Sequence, residues 1–210
     1  MIPAVVSLYE RDAVPMRVAF LIRTAINVLV PPSCVYCHSH FRESPAPRFC
    51  FQCWSDFTPL MGPVCSGCGL PFNSPETLTY SPEHQCLSCR QHAPHFDQAL
   101  AAGVFEGTLR EAIHVFKYQS VWALGRPLAE WMTSRVHLVA LLDAVMPVPL
   151  HARRLRERGF NQALLLAHGI AERFALPLIH DNLVRTRFTR PQVELSGRDR
   201  TENVSGAFTI

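Results

Sequence analysis

All eight cysteines of the chain fall in four C-x-x-C pairs: Cys34 and Cys37 in CVYC, Cys50 and Cys53 in CFQC, Cys65 and Cys68 in CSGC, and Cys86 and Cys89 in CLSC. A two-residue gap lets both thiolates of one tight turn reach a single tetrahedral ion, and two such turns complete a four-thiolate site. The eight thiolates therefore predict two zinc ions. Neither site keeps an open coordination position, so both ions are expected to be structural, holding a segment too small to fold on its own core. Gly67 and Gly69, around Cys68, supply the backbone freedom that such a turn uses. Sequential pairing closes the shortest loops and puts Cys34, Cys37, Cys50 and Cys53 on one ion and Cys65, Cys68, Cys86 and Cys89 on the other. An interleaved pairing is the alternative. His38, His40, His84 and His92 flank the pairs and could each replace a thiolate, although eight thiolates leave them free to be ordinary surface histidines.

A second concentration of chemistry lies in MPVPLHARRLRERGFNQALLLA, residues 146–167, where Arg153, Arg154, Arg156 and Arg158 run into Gly159, Phe160 and Asn161. Residues 151–200 hold ten arginines against five acids, although the whole chain carries only +3, too little for a general polyanion binder. Nineteen of the twenty basic residues are arginine, with Lys117 the single lysine, a bias that codon usage alone can produce. Charge by itself leaves two readings of the cluster. It is a solvated turn, or it is an anion site in which backbone N–H groups around Gly159 to Gln162 work with nearby arginines. Phosphate or pyrophosphate would be the guest.

The elements that must position these groups can be read from periodicity. With 48% apolar and 18% charged residues the chain suits a packed protein, and 210 residues allow one medium domain or two small ones. An amphipathic helix is expected over about 16–30, within an N-terminal segment 1–30, followed by a double zinc ribbon over 31–93 with proline-rich and polar loops (SPAPRF, FNSPETLTYSPEH). Composition changes from residue 94 to residue 210. ALAAGVF (99–105) reads as a buried strand, and Thr108 with Glu111 as a capping box for a helix with Leu109, Ala112, Ile113 and Phe116 on one face and Lys117 at its end. Pro127 suits the first turn of a second helix that buries Leu128, Trp131, Met132 and Val136. LLDAVMPVP and LPLIHDNLV are two further strand candidates, with a helix between Phe160 and Phe174. Strands alternating with helices argue for an α/β fold with a mainly parallel sheet. The arginine-rich stretch is then a strand, a loop and a helix, at the kind of strand end where parallel sheets bind ligands.

The apolar run MRVAFLIRTAINVLVPP is broken by Arg17 and Arg23, is too short to cross a bilayer, and ends at Pro31-Pro32 with no small-residue cleavage site. No membrane insertion and a cytoplasmic location are expected. In that reducing compartment the cysteines serve metal rather than disulfides.

PVPLHARRLRERGFNQALLLA resembles the signature of the ComF family, a phosphoribosyltransferase-like group that includes proteins named for competence. The order of features agrees: an apolar N-terminal helix, four C-x-x-C pairs, a helix ending in FKY, PVPL, RGFNQA, and then RTRFTRPQVELSGRDRTENVSGAF. The resemblance covers residues 20–210 and implies a double zinc ribbon joined to a type I phosphoribosyltransferase-like parallel-sheet domain. It assigns pyrophosphate or phosphoribosyl pyrophosphate binding to Arg158, Gly159, Phe160 and Asn161, with Arg156, Gln162 and Lys117 beside them. RTRFTRPQVELSGRDR resembles the mobile loop that closes over the reacting ribose, which singles out Arg187, Gln192, Arg198 and Arg200. Such an enzyme breaks the C1 bond of phosphoribosyl pyrophosphate through an oxocarbenium-like state, with Mg2+ helping to stabilise the departing pyrophosphate.

The resemblance also places a strand ending in two acids and a Thr-Thr-Gly loop directly after GAFTI, and no such stretch occurs in residues 1–210. The chain is therefore expected to be C-terminally incomplete and inactive as a transferase by itself. Its function is expected to be phosphoribosyl pyrophosphate binding linked to DNA uptake or nucleotide salvage, with the DNA-uptake machinery as partner. The alternative is a non-catalytic accessory or nucleic-acid-binding zinc ribbon. Direct binding by the ribbon is poorly supported by charge, since residues 31–93 carry three arginines and no lysine against four acids.

Overall fold

The computed structural model describes residues 31–74, 81, 83–136 and 142–210. The helix expected over 16–30 lies outside the described residues.

The chain enters the first zinc knuckle through a tight turn in which the His38 N–H bonds to the Cys34 carbonyl at 2.9 Å and Ser33 bridges His40. A short helix, α1 (Phe51–Ser55), carries the second pair, with Cys50 as its N-cap. The second knuckle repeats the plan. The Gly69 N–H bonds to the Cys65 carbonyl at 2.9 Å, Val64 bridges Pro71, and α2 (Leu87–Gln91) follows Cys86. Gly69 has φ +72, and a Cβ there would sit 2.7 Å from the Ala99 carbonyl oxygen, so both conformation and space demand glycine.

Helix α3 (Gly107–Tyr118) buries Leu109, Ala112 and Phe116 as the 3.6 period predicts, with Val115 buried in addition and the expected Ile113 only partly buried. That stripe packs directly on the first knuckle: Cys34, Phe49, Trp54 and Phe57 belong to the same buried cluster as Phe116, Leu124 and Leu128. The Trp54 and Phe57 rings lie 4.6 Å apart, and Phe57 meets Trp131 edge-on at 5.3 Å. The second knuckle has only its own small cluster of Cys65, Cys86 and Cys89, with Phe72 against it. A 3-10 turn (Trp122–Leu124) leads into α4 (Gly125–Thr133), which crosses α6 (Gln162–Phe174) so closely that a Cβ on Gly169 would lie 2.5 Å from the Ala129 Cβ.

Several sequence expectations are corrected here. ALAAGVF is not a strand of a central sheet. Gly103 forms a single antiparallel bridge to Pro59, and the Val104 N–H bonds to the Thr58 carbonyl at 2.9 Å, so the segment is tied to the ribbon's exit. The capping box does not form either. Gly107, at φ +47, starts the helix two residues early behind Glu106, and the Thr108 Oγ1 is buried in the first turn without a partner among the described residues. The arginine-rich stretch is not a loop but a helix, α5 (Ala152–Arg158). His151 Nδ1 accepts from the Arg153 N–H at 3.2 Å at its start, Arg153 pairs with Glu157 one turn on, and Gly159 at φ +80 stops it.

The sheet is small. LLDAVMPVP and LPLIHDNLV do meet in parallel, at one bridge between Val145 and Leu178, where the Val145 N–H bonds to the Pro177 carbonyl at 2.8 Å. Among the described residues the ladder stops there, because Pro147, Pro149 and Pro177 have no N–H to continue it. The one two-stranded sheet pairs β1 (Val184–Arg185) with β2 (Phe208–Thr209) antiparallel, across the turn of α7 (Gly197–Val204). Mixed helix and short strand around a double ribbon fit the α/β class. No helix among the described residues is long and apolar enough to cross a membrane.

Candidate functional site

In each knuckle four Sγ atoms lie within 4.8 Å of one another, and the grouping is the sequential one: Cys34, Cys37, Cys50 and Cys53, then Cys65, Cys68, Cys86 and Cys89. The Cys37–Cys50 and Cys68–Cys86 sulfur separations are both 3.7 Å. A tetrahedron with Zn–S bonds of about 2.3 Å has edges of about 3.8 Å, so the donor set has the size and softness that zinc requires. Backbone donors support the thiolates: Cys53 N–H points at Cys50 Sγ at 3.4 Å and Cys86 N–H at Cys65 Sγ at 3.2 Å. Hydrogen bonding from Ser39 brings the Cys37 thiol down to about 6. Burial opposes the Cys65 thiolate, but N–H groups of Cys86, Cys68 and Gly67 outweigh it and bring that thiol to about 6. Cys89 is pushed up to about 12 by its hydrogen bond with Cys68 and by burial, and Cys53 is raised by burial and by its neighbouring thiols. Each cluster thus holds a lowered thiol beside a raised one, and a dication would displace their protons. The two clusters fit two structural zinc ions, and no histidine joins either one.

The second feature is a pocket of about 360 Å3 between the C-terminal end of α3, α5 and the segment 185–193. Lys117, Arg154, Arg158, Arg185 and Arg190 line it, and among the described residues no acid does. Arg154 and Arg158, one helical turn apart, share a face of α5. Arg158 lies over the Tyr118 ring at 5.3 Å and donates to Gln162 Oε1 at 3.1 Å. Burial and the nearby Arg158 hold Lys117 below the usual lysine range. Burial, Arg154 and Arg187 likewise lower Arg185, whose Nε is buried without an acceptor while its Nη2 donates to Thr189. Phe188 ties the two walls together, with the Arg153 and Arg154 guanidinium carbons 4.5 and 5.3 Å from its ring centre and His151 edge-on at 5.5 Å. Packing thus holds several cations of like sign close together at this pocket.

Residues 25–90 match the double zinc ribbon domain family. Competence protein F of Haemophilus influenzae is 29% identical over 174 residues, covering 77% of this chain and 76% of that protein. These similarities support the resemblance to the ComF family. DNA utilization protein YhgH is 28% identical over 153 residues in both Salmonella typhi and Escherichia coli, covering 70% of this chain and 64% of each relative. The chain thus spans under two thirds of the YhgH proteins' length. No solved structure matches it.

Of the residues that the ComF resemblance singles out, Lys117, Arg158 and Gln192 line the cationic pocket. Gly159 and Phe160 line an adjoining apolar pocket together with Arg158. Asn161 caps α6, its Oδ1 accepting from the Ala163 N–H at 3.0 Å while its Nδ2 donates to the Val148 carbonyl at 3.2 Å, so it joins the PVP segment to the helix. Gln162 is buried behind Arg158. Arg156 is exposed and lines neither pocket. Arg187 donates to the Asn203 and Ser205 carbonyls, Arg200 to the Gln192 and Leu195 carbonyls, and Arg198 pairs with Glu202. These three brace the 185–205 segment rather than face the pocket. Sequence reasoning did not single out Arg185, Arg190 or Arg154 as pocket residues. The i, i+4 spacing of Arg154 and Arg158 was the available signal.

Proposed function

We propose that this ComF-like chain binds phosphoribosyl pyrophosphate, or pyrophosphate itself, in the pocket formed by Lys117, Arg154, Arg158, Arg185 and Arg190, in service of DNA uptake or use. The observation that carries this reading is the convergence of five cations, with no lining acid, on one pocket. A diphosphate supplies several charged acceptors within a compact volume, and arginine forks match its geometry. The parallel contact of Val145 with Leu178 supports a phosphoribosyltransferase-like arrangement, in which the PVP segment leads into the binding helix. In this division of labour residues 31–93 are the metal-held support and residues 94–210 the ligand-binding part. In a transfer reaction the pocket's cations would offset charge developing on departing pyrophosphate. The pocket offers no carboxylate to hold Mg2+, so any magnesium would arrive with the ligand. All-thiolate zinc sites suit a reducing cytoplasm. The names of the relatives, one for competence and one for DNA utilization, support the link to DNA.

Calorimetric titration of the chain with pyrophosphate tests the reading. Arg158→Ala should weaken binding by about 1.5–3 kcal/mol, the scale of hydrogen bonds to charged groups. Arg198→Ala, outside the pocket, should be neutral. Absent saturable binding, or equal effects of both changes, would sink the proposal.

A further inference from the structure

The two knuckles share a plan, and one cysteine breaks it. The Val35 N–H bonds to the Arg48 carbonyl at 2.9 Å as the Ser66 N–H bonds to the His84 carbonyl at 3.2 Å, so Cys37 corresponds to Cys68 and His38 to Gly69. In the second knuckle the chain returns over this corner. The Ala99 N–H bonds to the Gly67 carbonyl at 2.7 Å, and the Ala99 carbonyl oxygen leaves no room for a Cβ at Gly69. Cys68 is half-buried there, and the other three ligands are buried. In the first knuckle, among the described residues, no backbone bond reaches the Tyr36 carbonyl, the counterpart of Gly67. His38 holds at φ +60 the left-handed position that Gly69 holds at φ +72, and nothing forces it to be glycine. Residues 36–40 are all exposed, and Cys37 is the one exposed ligand of the eight. Its sulfur lies 3.7 Å from that of half-buried Cys50, while Cys34 and Cys53 are buried.

We propose that Cys37 is a site of modification by hydroperoxides, with Cys50 as its resolving cysteine, so that the first knuckle gives up its ion on oxidation and the second does not. The proposal rests on the zinc sites and not on the anion pocket. Oxidation of cysteine follows thiolate character and exposure, and Cys37 combines both with a second sulfur in contact. The Cys37 sulfur attacks one peroxide oxygen, the O–O bond breaks, and the departing oxygen takes a proton from solvent. The Cys50 sulfur then attacks the resulting sulfenic acid. An S–S bond forms, the S–O bond breaks, and the hydroxyl leaves as water with a second proton. Two electrons have passed from the two sulfurs to the peroxide. Cys34 and Cys53 alone cannot complete a tetrahedron, so the ion is lost. Both lie in the buried cluster with Trp54, Phe57 and Phe116, which carries the loss to α3. Thiol reduction returns all four ligands, which makes the change reversible.

The test titrates the zinc-loaded full chain with hydrogen peroxide. A chromogenic chelator follows released zinc, peptide mass spectrometry maps disulfides, and near-ultraviolet circular dichroism follows the aromatic core. The wild type should release one ion first, form a Cys37–Cys50 disulfide and lose aromatic signal, and dithiothreitol with zinc should reverse all three. Cys37→His keeps a zinc ligand that cannot form a disulfide, so it should hold both ions and lose the early release. In Cys50→His the sulfenic acid has no resolving partner and should be trapped on Cys37 by dimedone. The wild-type disulfide map needs no variant and decides the site even if neither histidine holds metal. Loss of both ions together, earlier loss from the second knuckle, or a first disulfide other than Cys37–Cys50 overturns the proposal. So does early release that persists in metal-loaded Cys37→His. An aromatic signal unchanged by loss of the first ion overturns the link to α3.

Discussion

The two zinc sites share one ligand set but sit in different surroundings, so their loss should have different consequences. Cys34 is fully buried and belongs to the cluster that joins Phe49, Trp54 and Phe57 to Phe116, Leu124 and Leu128. Cys65 is as deeply buried, yet among the described residues its cluster contains only its fellow ligands and Phe72. A structural zinc contributes about 10–16 kcal/mol of apparent binding free energy to the fold it closes. Releasing the first knuckle also frees large aromatic side chains, whose burial is worth about 3–5 kcal/mol each by truncation. Together these exceed the roughly 5–15 kcal/mol that holds an ordinary domain. Cys34→Ser should therefore lose one ion and, with it, cooperative unfolding of α3 and α4. Cys65→Ser should lose the other ion while the thermal transition reported by Trp54 and Trp131 survives. Native mass spectrometry counts the metals, and near-ultraviolet circular dichroism on heating follows the aromatic core. The reasoning fails if the two variants melt alike, or if Cys34→Ser keeps a sharp transition after losing its ion.

Three further outcomes are expected. Because burial and Arg158 depress Lys117, the folded chain binds fewer protons than the unfolded one between that lowered value and the ordinary lysine value, so stability rises with pH across that window. Lys117→Met should flatten this slope, raise the melting temperature at neutral pH and weaken pyrophosphate binding; a lower melting temperature would contradict it. Phe188→Ala removes the ring shared by Arg153 and Arg154, each contact worth about 0.5–1 kcal/mol, and should weaken pyrophosphate binding about two- to fivefold in calorimetry. Gly169→Ala should cost about 1–2 kcal/mol in denaturant unfolding despite better helix propensity, because its Cβ would press on Ala129, and Ala129→Gly should recover part of that loss; additive effects would refute the contact.

The metal ligands were legible because zinc knuckles are local. Two residues between cysteines fix a turn, and the shortest closure fixes the pairing. The apolar stripe of α3 was legible for the same reason. What failed depended on distant partners. ALAAGVF has the composition of a strand, but the Val104 N–H donates to the Thr58 carbonyl and the Leu60 N–H to the Ala102 carbonyl, which draws it to the ribbon instead. The run HARRLRER looked like a loop because glycine, asparagine and charge cluster around it, yet His151 caps it and Arg153–Glu157 supports a helix. The family resemblance named Arg156 beside Arg158 and did not name Arg154. As a helix the run turns Arg156 away and brings Arg154 beside Arg158. Arg185 and Arg190 reach the pocket on a segment held by β1–β2 pairing and by Arg187 and Asn203, contacts that no local pattern announces.

Helix α3 explains why a metal ribbon and an anion pocket belong in one chain. Its N-terminal half lies on the first knuckle through Leu109 and Ala112, and its last turn delivers Lys117 and Tyr118 to the pocket. Holding a lysine among arginines is unfavourable until an anion arrives, so the helix needs an anchor that does not depend on the ligand. Packing from Val115 and Phe116 onto Phe160 supplies part of it at the pocket end. The zinc-held aromatics supply the rest at the far end, where Phe57 and Trp131 lock the ribbon to α4. On the proposed anion-binding reading, the ion would support ligand binding without approaching the ligand. It fixes the helix that keeps the charges in place, and the stability lost to charge repulsion in the pocket is offset by the metal at the other end of the same helix.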